Sequence, residues 1–455
     1  MKICFIPIDN RPVCYNLPKD IVAMDSSVEL FIPPREYLGD LKKNADIENI
    51  LNWLENIPKC DSIILSLDTI AYGGLIPSRR SEETFEEIKF RVEKLKQILE
   101  CKKAKIYAFS SIMRISNNNY NEEEKPYWDK YGKKIFDYSY YTHKNGGKYG
   151  VESCVANLIP NDILNDYLDT RKRNFEINKI YLEWQKEGFF ETLIFSKDDC
   201  AEYGFNVMEA QELENLGGFT KTGADEIPLS LLARSIEKKI KIAVEYTESD
   251  YVSAISNYED VSIEKSVLGQ IELAGFEISA IDDADIILIV NNFVEKQGEH
   301  VMGWETVPYN KELILPDKYF AVADVRYANG ADNNFVEQLL KKIDLKNFMG
   351  YSAWNTSANT LGSLLASVKL SFGANNFDEK AFKKLQMIRF LDDWAYQANV
   401  RAQIDSPQDI SNLMKPFEER LNLIFDYLKG TCPKYIYPQY IYPWNRKFEI
   451  EVNIN

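Results

Sequence analysis

The chain has 455 residues, 45% hydrophobic and 27% charged, with a formal charge of -16 at pH 7. That length fills one large barrel or two ordinary domains, and the composition is ordinary for a globular protein. The negative charge argues against phosphate-tracking surfaces and anionic membranes, so neither nucleic acid nor membrane is expected as a partner.

The opening residues, MKICFIPID, run straight into a strand pattern, without the longer apolar segment and small-residue cleavage site of a secretory leader. No stretch reaches transmembrane length, and a cytoplasmic protein is expected. Cysteines stand at 4, 14, 60, 101, 154, 200 and 432, odd in number and without a CxxC pair, so they read as reduced thiols. Cys4 reads as core. Cys200 reads as a small buried side chain, with a reactive thiol as the alternative. The two histidines, His143 in YTHKNGG and His300 in QGEHVMG, read as exposed loop residues outside any triad or zinc pattern. Proton transfer then falls to Asp, Glu or Tyr, and no cofactor is expected.

Strand-length apolar runs alternate with segments of helical period. KICFIPID (2–9) and VELFIPP (28–34) bracket a short helix near residues 17–24. A helix over 46–56, with Ile47, Ile50, Leu51 and Leu54 on one face, leads to SIILSLD (62–68). A charged helix over 82–99 leads to KIYAFSS (105–111). From about 118 to 188 the pattern becomes long, aromatic and helical, an insertion whose Tyr and Trp suit either helix packing or stacking on a sugar ring. The next run, TLIF (192–195), ends in SKDD, two adjacent acids, Asp198 and Asp199, on a strand rim where parallel folds place their chemistry. A helix cap followed by a solvated neighbour is the plainer reading of that pair.

Strands resume at 241–246, 285–291, 319–324 and 348–353, and helices follow from 378, ahead of an aromatic tail (YIYPQYIYPWNRKF) expected to be ordered. Nine candidates, one more than a (β/α)8 TIM barrel needs, predict a parallel α/β barrel-like catalytic domain over 1–375. The helical insertion lies within it, and a C-terminal helical segment over 376–455 packs on it. The alternative is two doubly wound lobes with a cleft between them, divided near residues 215 to 240.

Polar clusters mark most strand ends. Asp9 and Arg11 follow the first, Arg35 the second, Asp68, Tyr72 and the Gly73-Gly74 pair the third, and Arg114 the fourth. The glycine spacing fits neither a P-loop nor a dinucleotide fingerprint. In GADE, Asp225 and Glu226 precede an apolar helix that one of them can cap, and Asp332 in YANGAD stands before another. Asn292, Asp324, Asn329, Trp354, Asn355 and Asn359 supply amides, a carboxylate and a stacking ring suited to sugar hydroxyls or an acetamido group. Turn and cap chemistry selects similar residues.

IPIDNRPVCYNLP, LSLDTIAYGGLIPSR, SKDDCAEYG, GADEIPLSLLAR, DVRYANGAD and AWNTSANTLGSLLA resemble the motif series of a bacterial domain-of-unknown-function family, number 4127. More distantly, a strand ending in Asp-Asp, a later Val-Asn-Asn and an Asn-containing loop before a small-residue helix are similar to O-GlcNAcase-type β-N-acetylhexosaminidases. That resemblance implies a (β/α)8 barrel and substrate-assisted catalysis. Asp198 would orient the substrate acetamido group, Asp199 would be the general acid, and Asn292 with Asn355 or Asn359 would hold hydroxyls. Lys197 stands where that family more usually has an apolar residue.

The expected function is an intracellular glycoside hydrolase acting on a small carbohydrate substrate, with N-acetylhexosaminides as the class the resemblance implies, using carboxyls of separated pKa and no histidine. A second reading is a divalent-metal isomerase, lyase or phosphohydrolase in which Asp9, Asp68, Asp198, Asp199 and Asp324 converge as oxygen ligands. A third is a carbohydrate-binding protein without turnover.

Overall fold

A computed structural model describes residues 1–147, 156–198, 200–404, 410–425 and 438–454. All nine expected strands form, but in two open parallel sheets rather than one closed ring. The chain divides into two compact units: Met1–Tyr15, Glu29–Leu231 and Tyr258–Asp260, and then Asn16–Val28, Leu232–Asn257 and Val261–Asn455.

The first unit is built on β1 (Lys2–Ile6), β2 (Glu29–Phe31), β3 (Ser62–Ser66), β4 (Lys105–Ile112), β5 (Thr192–Lys197) and β6 (Thr220–Thr222), in the order β2-β1-β3-β4-β5-β6. Every pairing is parallel. Of the interior strands, β3 and β5 are buried throughout, and β1 and β4 at every position but the first, as a sheet covered on both faces requires. Helix α1 (Pro12–Val22) follows β1. Helix α2 (Ile47–Asn56) is capped by the Asp46 side chain, which accepts from Asn49 N–H at 3.1 Å, and buries Ile50, Leu51 and Leu54. Short helices α3 (Leu67–Ala71) and α4 (Leu75–Arg80) precede α5 (Phe85–Lys102), which starts at a reciprocal Thr84–Glu87 capping box. The insertion supplies α6 (Trp128–Lys144) and α7 (Asn161–Lys186). Trp128, Tyr138 and Tyr167 pack with Phe205 in a satellite core, so for these rings the packing reading holds. Helices α8 (Phe205–Asn215) and α9 (Ile227–Ser235) follow β5 and β6.

The second unit carries β7 (Lys241–Tyr246), β8 (Glu277–Ile278), β9 (Ile286–Asn291), β11 (Tyr319–Asp324) and β13 (Phe348–Ser352) in the parallel order β13-β11-β9-β7-β8. Two-residue strands β10 (Gly298–Glu299) and β12 (Tyr327–Ala328) pair separately, and β14 (Gln439–Ile441) pairs antiparallel with β15 (Glu451–Asn453). Its helices are α10 (Ile263–Leu273), α11 (Asn333–Lys342), α12 (Ser357–Phe372), α13 (Glu379–Arg389) and α14 (Ile410–Phe425), with a π-helical stretch over Phe390–Val400.

Numbered within its own unit, each sheet reads 2-1-3-4-5, the first carrying β6 as a sixth strand. This is the flavodoxin-like winding, in which the chain reverses direction beside its first strand. Ligands in such sheets bind outside the carboxyl ends of the strands at that reversal, beside β1 and β3 in one sheet and β7 and β9 in the other. A barrel of nine candidates was a miscount of topology. The strands are real, and five of them belong to one sheet and four to another.

Candidate functional site

In the first unit the loops after β1 and β6 meet through one arginine. Arg11 Nε donates to Asp9 Oδ2 at 2.9 Å, while Nη1 and Nη2 donate to the two Asp225 oxygens at 3.0 and 2.6 Å. All three residues are buried. Burial raises the Asp225 carboxyl above its ordinary range against the pull of Arg11, and the Asp9 and Asp198 charges add to the rise. Arg35 Nε donates to the Asn10 carbonyl at 3.0 Å and its guanidinium lies over the Tyr15 ring. These contacts fasten the turn after β1.

Asp198, at the end of β5, is more open. Its Oδ2 accepts from Arg114 Nη1 at 3.2 Å, and the two side chains keep 17% and 16% of their surface exposed. Arg114 also binds Glu123 at 2.6 Å, and Arg79, buried behind it, binds Glu124 at 2.9 Å. Asp199 lies outside the described residues. Lys197, the departure from the hexosaminidase pattern, pairs with Asp260 at 2.5 Å, and Thr222 Oγ1 donates to the same carboxylate at 2.7 Å.

Glu226 sits in the fold of the same loop, its Oε2 accepting from Ala224 N–H at 3.1 Å. Burial, with the charges of Asp225 and Glu259, pushes its carboxyl up to about 8. At neutral pH this side chain holds a proton while the adjacent Asp225 is paired with Arg11. Gly223, at φ +110°, makes room for it, since a Cβ there would lie 1.7 Å from Glu226 Oε1.

Asp68 and Tyr72 lie deeper. Asp68 Oδ2 accepts from Ser111 N–H at 2.8 Å, and burial pushes its carboxyl up to about 7. Tyr72 is buried, and burial with the nearby Asp68 charge raises its hydroxyl. The Gly73-Gly74 pair serves chain packing: Gly73 O accepts from Ala45 N–H at 2.9 Å, and a Cβ on Gly74 would meet Ile8 O at 3.0 Å.

The remaining sequence-predicted residues belong to the second unit. Asn292 is fully buried, its amide clamping Glu248 through N–H and carbonyl at 2.9 Å each. Asp324 accepts from Asn291 Nδ2, Asp332 N–H and Tyr351 Oη, and burial with the Asp332 charge pushes it up to about 7. Asp332 caps α11 through Asn334 N–H and Phe335 N–H. Asn329 donates to Glu299 at 2.9 Å, and its N–H donates to the Asn355 carbonyl at 2.9 Å. Trp354 is buried edge-on to Phe448, and Asn359 Nδ2 donates to the Thr356 cap hydroxyl at 3.2 Å.

Arg326 holds this rim together. With no exposed surface, it donates to Asn291 Oδ1, Val307 O, Thr247 Oγ1 and Glu248 Oε1, and pairs with Asp332 at 3.4 Å.

The histidines are not simple loop residues. His143 Nδ1 accepts from Gly204 N–H at 3.0 Å, and burial holds its ring below the usual range. His300 stacks on Tyr327 at 4.3 Å. Among the described residues the cysteines Cys4, Cys14, Cys60, Cys101 and Cys200 are not bridged by disulfides, Cys4 lies in the core, and no group of three or more His, Cys, Asp or Glu is placed to hold a metal ion. No described helix is long and apolar enough to cross a membrane.

Fold and site together define an α/β protein of two like-wound parallel sheets, the first with a carboxylate and arginine rim. The chain belongs to the family described as Protein of unknown function (DUF4127), whose model matches residues 3–453. No curated protein and no solved structure matches it.

Glu226, Glu124, Glu248 and Arg326 escaped the sequence reading as site residues. Glu226 stood in GADE as an ordinary cap candidate, and buried ion pairs leave no periodic signature.

Proposed function

We propose that the first unit is a glycoside hydrolase using the acids on its sheet rim, with N-acetylhexosaminides as its substrate class. The half-open Asp198–Arg114 pair, beside the closed Asp9–Arg11–Asp225 network, carries the reading. Arg114 orients the Asp198 carboxylate through Oδ2, so its second oxygen can receive an acetamido N–H and turn the acetamido oxygen toward the anomeric carbon. Asp199 follows as the general acid that protonates the leaving oxygen. Glu226, protonated at neutral pH, adds a carboxyl of different pKa to the same rim, the separation of acids that glycoside cleavage uses.

Metal chemistry through the acids of this rim is the weaker reading because Arg11 already occupies oxygens of Asp9 and Asp225, and Ser111 N–H occupies Asp68. Replacing Asp199 by Asn separates acid catalysis from other roles. Hydrolysis of a poor leaving group is expected to fall about 10²- to 10⁴-fold while an activated aryl glycoside is largely spared. Equal loss on both removes the acid role.

A further inference from the structure

On the flank of the first sheet, an open groove of about 490 Å³ runs between edge strand β2 and helix α2. Its lining combines three rings, Phe31, Tyr37 and Trp53, with Pro34, Ile57 and Pro58 and three amides, Asn49, Asn52 and Asn56. The rings are half-buried against the core, so each keeps one side anchored.

Two features of the lining specify its ligand. In a chain that is 27% charged, none of the nine lining residues carries a charge, and the charged groups beside them, Lys2 Nζ 5.8 Å from the Phe31 ring centroid and Asp46 bonded to Asn49, are of opposite sign, so the groove favours a molecule without net charge. The amides follow the helix at i, i+3 and i+7, rising about 4.5 and then about 6 Å along the axis. Two of them are already oriented: Asn49 Nδ2 donates to Asp46 Oδ2 at 2.8 Å, and Asn56 Nδ2 to the Asn52 carbonyl at 2.7 Å. Preorganised amides cost little entropy on binding.

We infer that this groove is a binding site for a neutral oligosaccharide, independent of hydrolysis at the sheet rim. Aromatic faces take the apolar side of a pyranose ring, and amides, which both donate and accept, match hydroxyls. A proline-rich peptide also docks on aromatic grooves, but its polyproline helix repeats about every 9 Å and offers carbonyls alone. Successive amides here stand closer, about one sugar ring apart.

The test uses the full chain labelled with 5-fluorotryptophan, with the Trp53 resonance assigned through Trp53→Phe. Cellotetraose, chitotetraose and maltotetraose are titrated to millimolar concentration, alongside a proline-rich decapeptide. The probe protein also carries Asp198→Asn, so turnover does not consume the sugar. At least one tetrasaccharide is expected to move the Trp53 signal saturably. Trp53→Ala should weaken that binding about tenfold, and the exposed Asn52→Ala about threefold with no change in Tm, which keeps the test valid if Trp53→Ala misfolds. The inference is overturned if no tetrasaccharide moves the Trp53 signal, if sugars bind without moving it, or if the peptide alone does so. Loss of rim hydrolysis in Asp198→Asn bears only on the proposed function.

Discussion

Along the rim of the first sheet the Asp198–Arg114 pair remains partly open, whereas the rim of the second is closed by Arg326, which has no exposed surface and binds four acceptors. Both rims lie at the carboxyl ends of sheets wound in the same order. Winding therefore creates a place for a ligand, but the side chains delivered there decide whether it stays available. In the second unit the crevice beside β7 and β9 is filled by Glu248, Asn291, Asn292 and Arg326 bonding one another. In the first, the buried Arg11 network forms a floor and leaves a carboxylate with solvent access.

The largest effect is expected from Arg326→Met. It leaves buried Asp332 without its cation and Glu248 with Lys311 alone, and a loss of about 3–5 kcal/mol is expected in chemical denaturation. A stable variant would mean the second rim is not held by that arginine.

The next effect is in pH dependence. Glu226 is protonated in the fold up to about 8, while the unfolded carboxyl ionises near its ordinary 4.5. Between those values the unfolded state binds fewer protons than the folded one, so stability falls as pH rises, and levels off above about 8. Glu226→Gln removes this contribution. Relative to the variant, the wild-type chain should lose on the order of a few kcal/mol from pH 4.5 to pH 8. Parallel Tm-against-pH curves for the two proteins would contradict the assignment.

The smallest effect is expected from Asn359→Ala. Its amide bonds only the neighbouring cap hydroxyl, so stability should change by about 1 kcal/mol or less, and hydrolysis not at all. A large loss of substrate binding would make Asn359 a substrate contact.

Much of the secondary structure was legible because apolar runs between turn signals mark buried parallel strands. β6 and β8 were not, since TKT and a two-residue edge lack an apolar run. Strand order was not legible either. Whether β2 falls beside β1 on one side or continues a ring depends on the direction of one crossover, which periodicity does not encode. Of the site, the acids and arginines at strand ends were readable as types, and Asp332 as a cap. Their pairing was not, because Arg11 and Asp225 are 214 residues apart. The partners of Asn292 and Asp324 were not legible either, because a buried amide or acid that bonds its own rim has the same sequence appearance as one that meets substrate.

The most direct measurement is kcat/KM for a panel of aryl glycosides, acetamido sugars included, in wild type and Asp198→Asn with Tm recorded for both. Hydrolysis of at least one acetamido glycoside by wild type is expected, with a fall of about 10²-fold or more in the variant at nearly unchanged Tm, since a partly exposed pair contributes little stability. No turnover of any glycoside by wild type, or full activity in the variant, would contradict it.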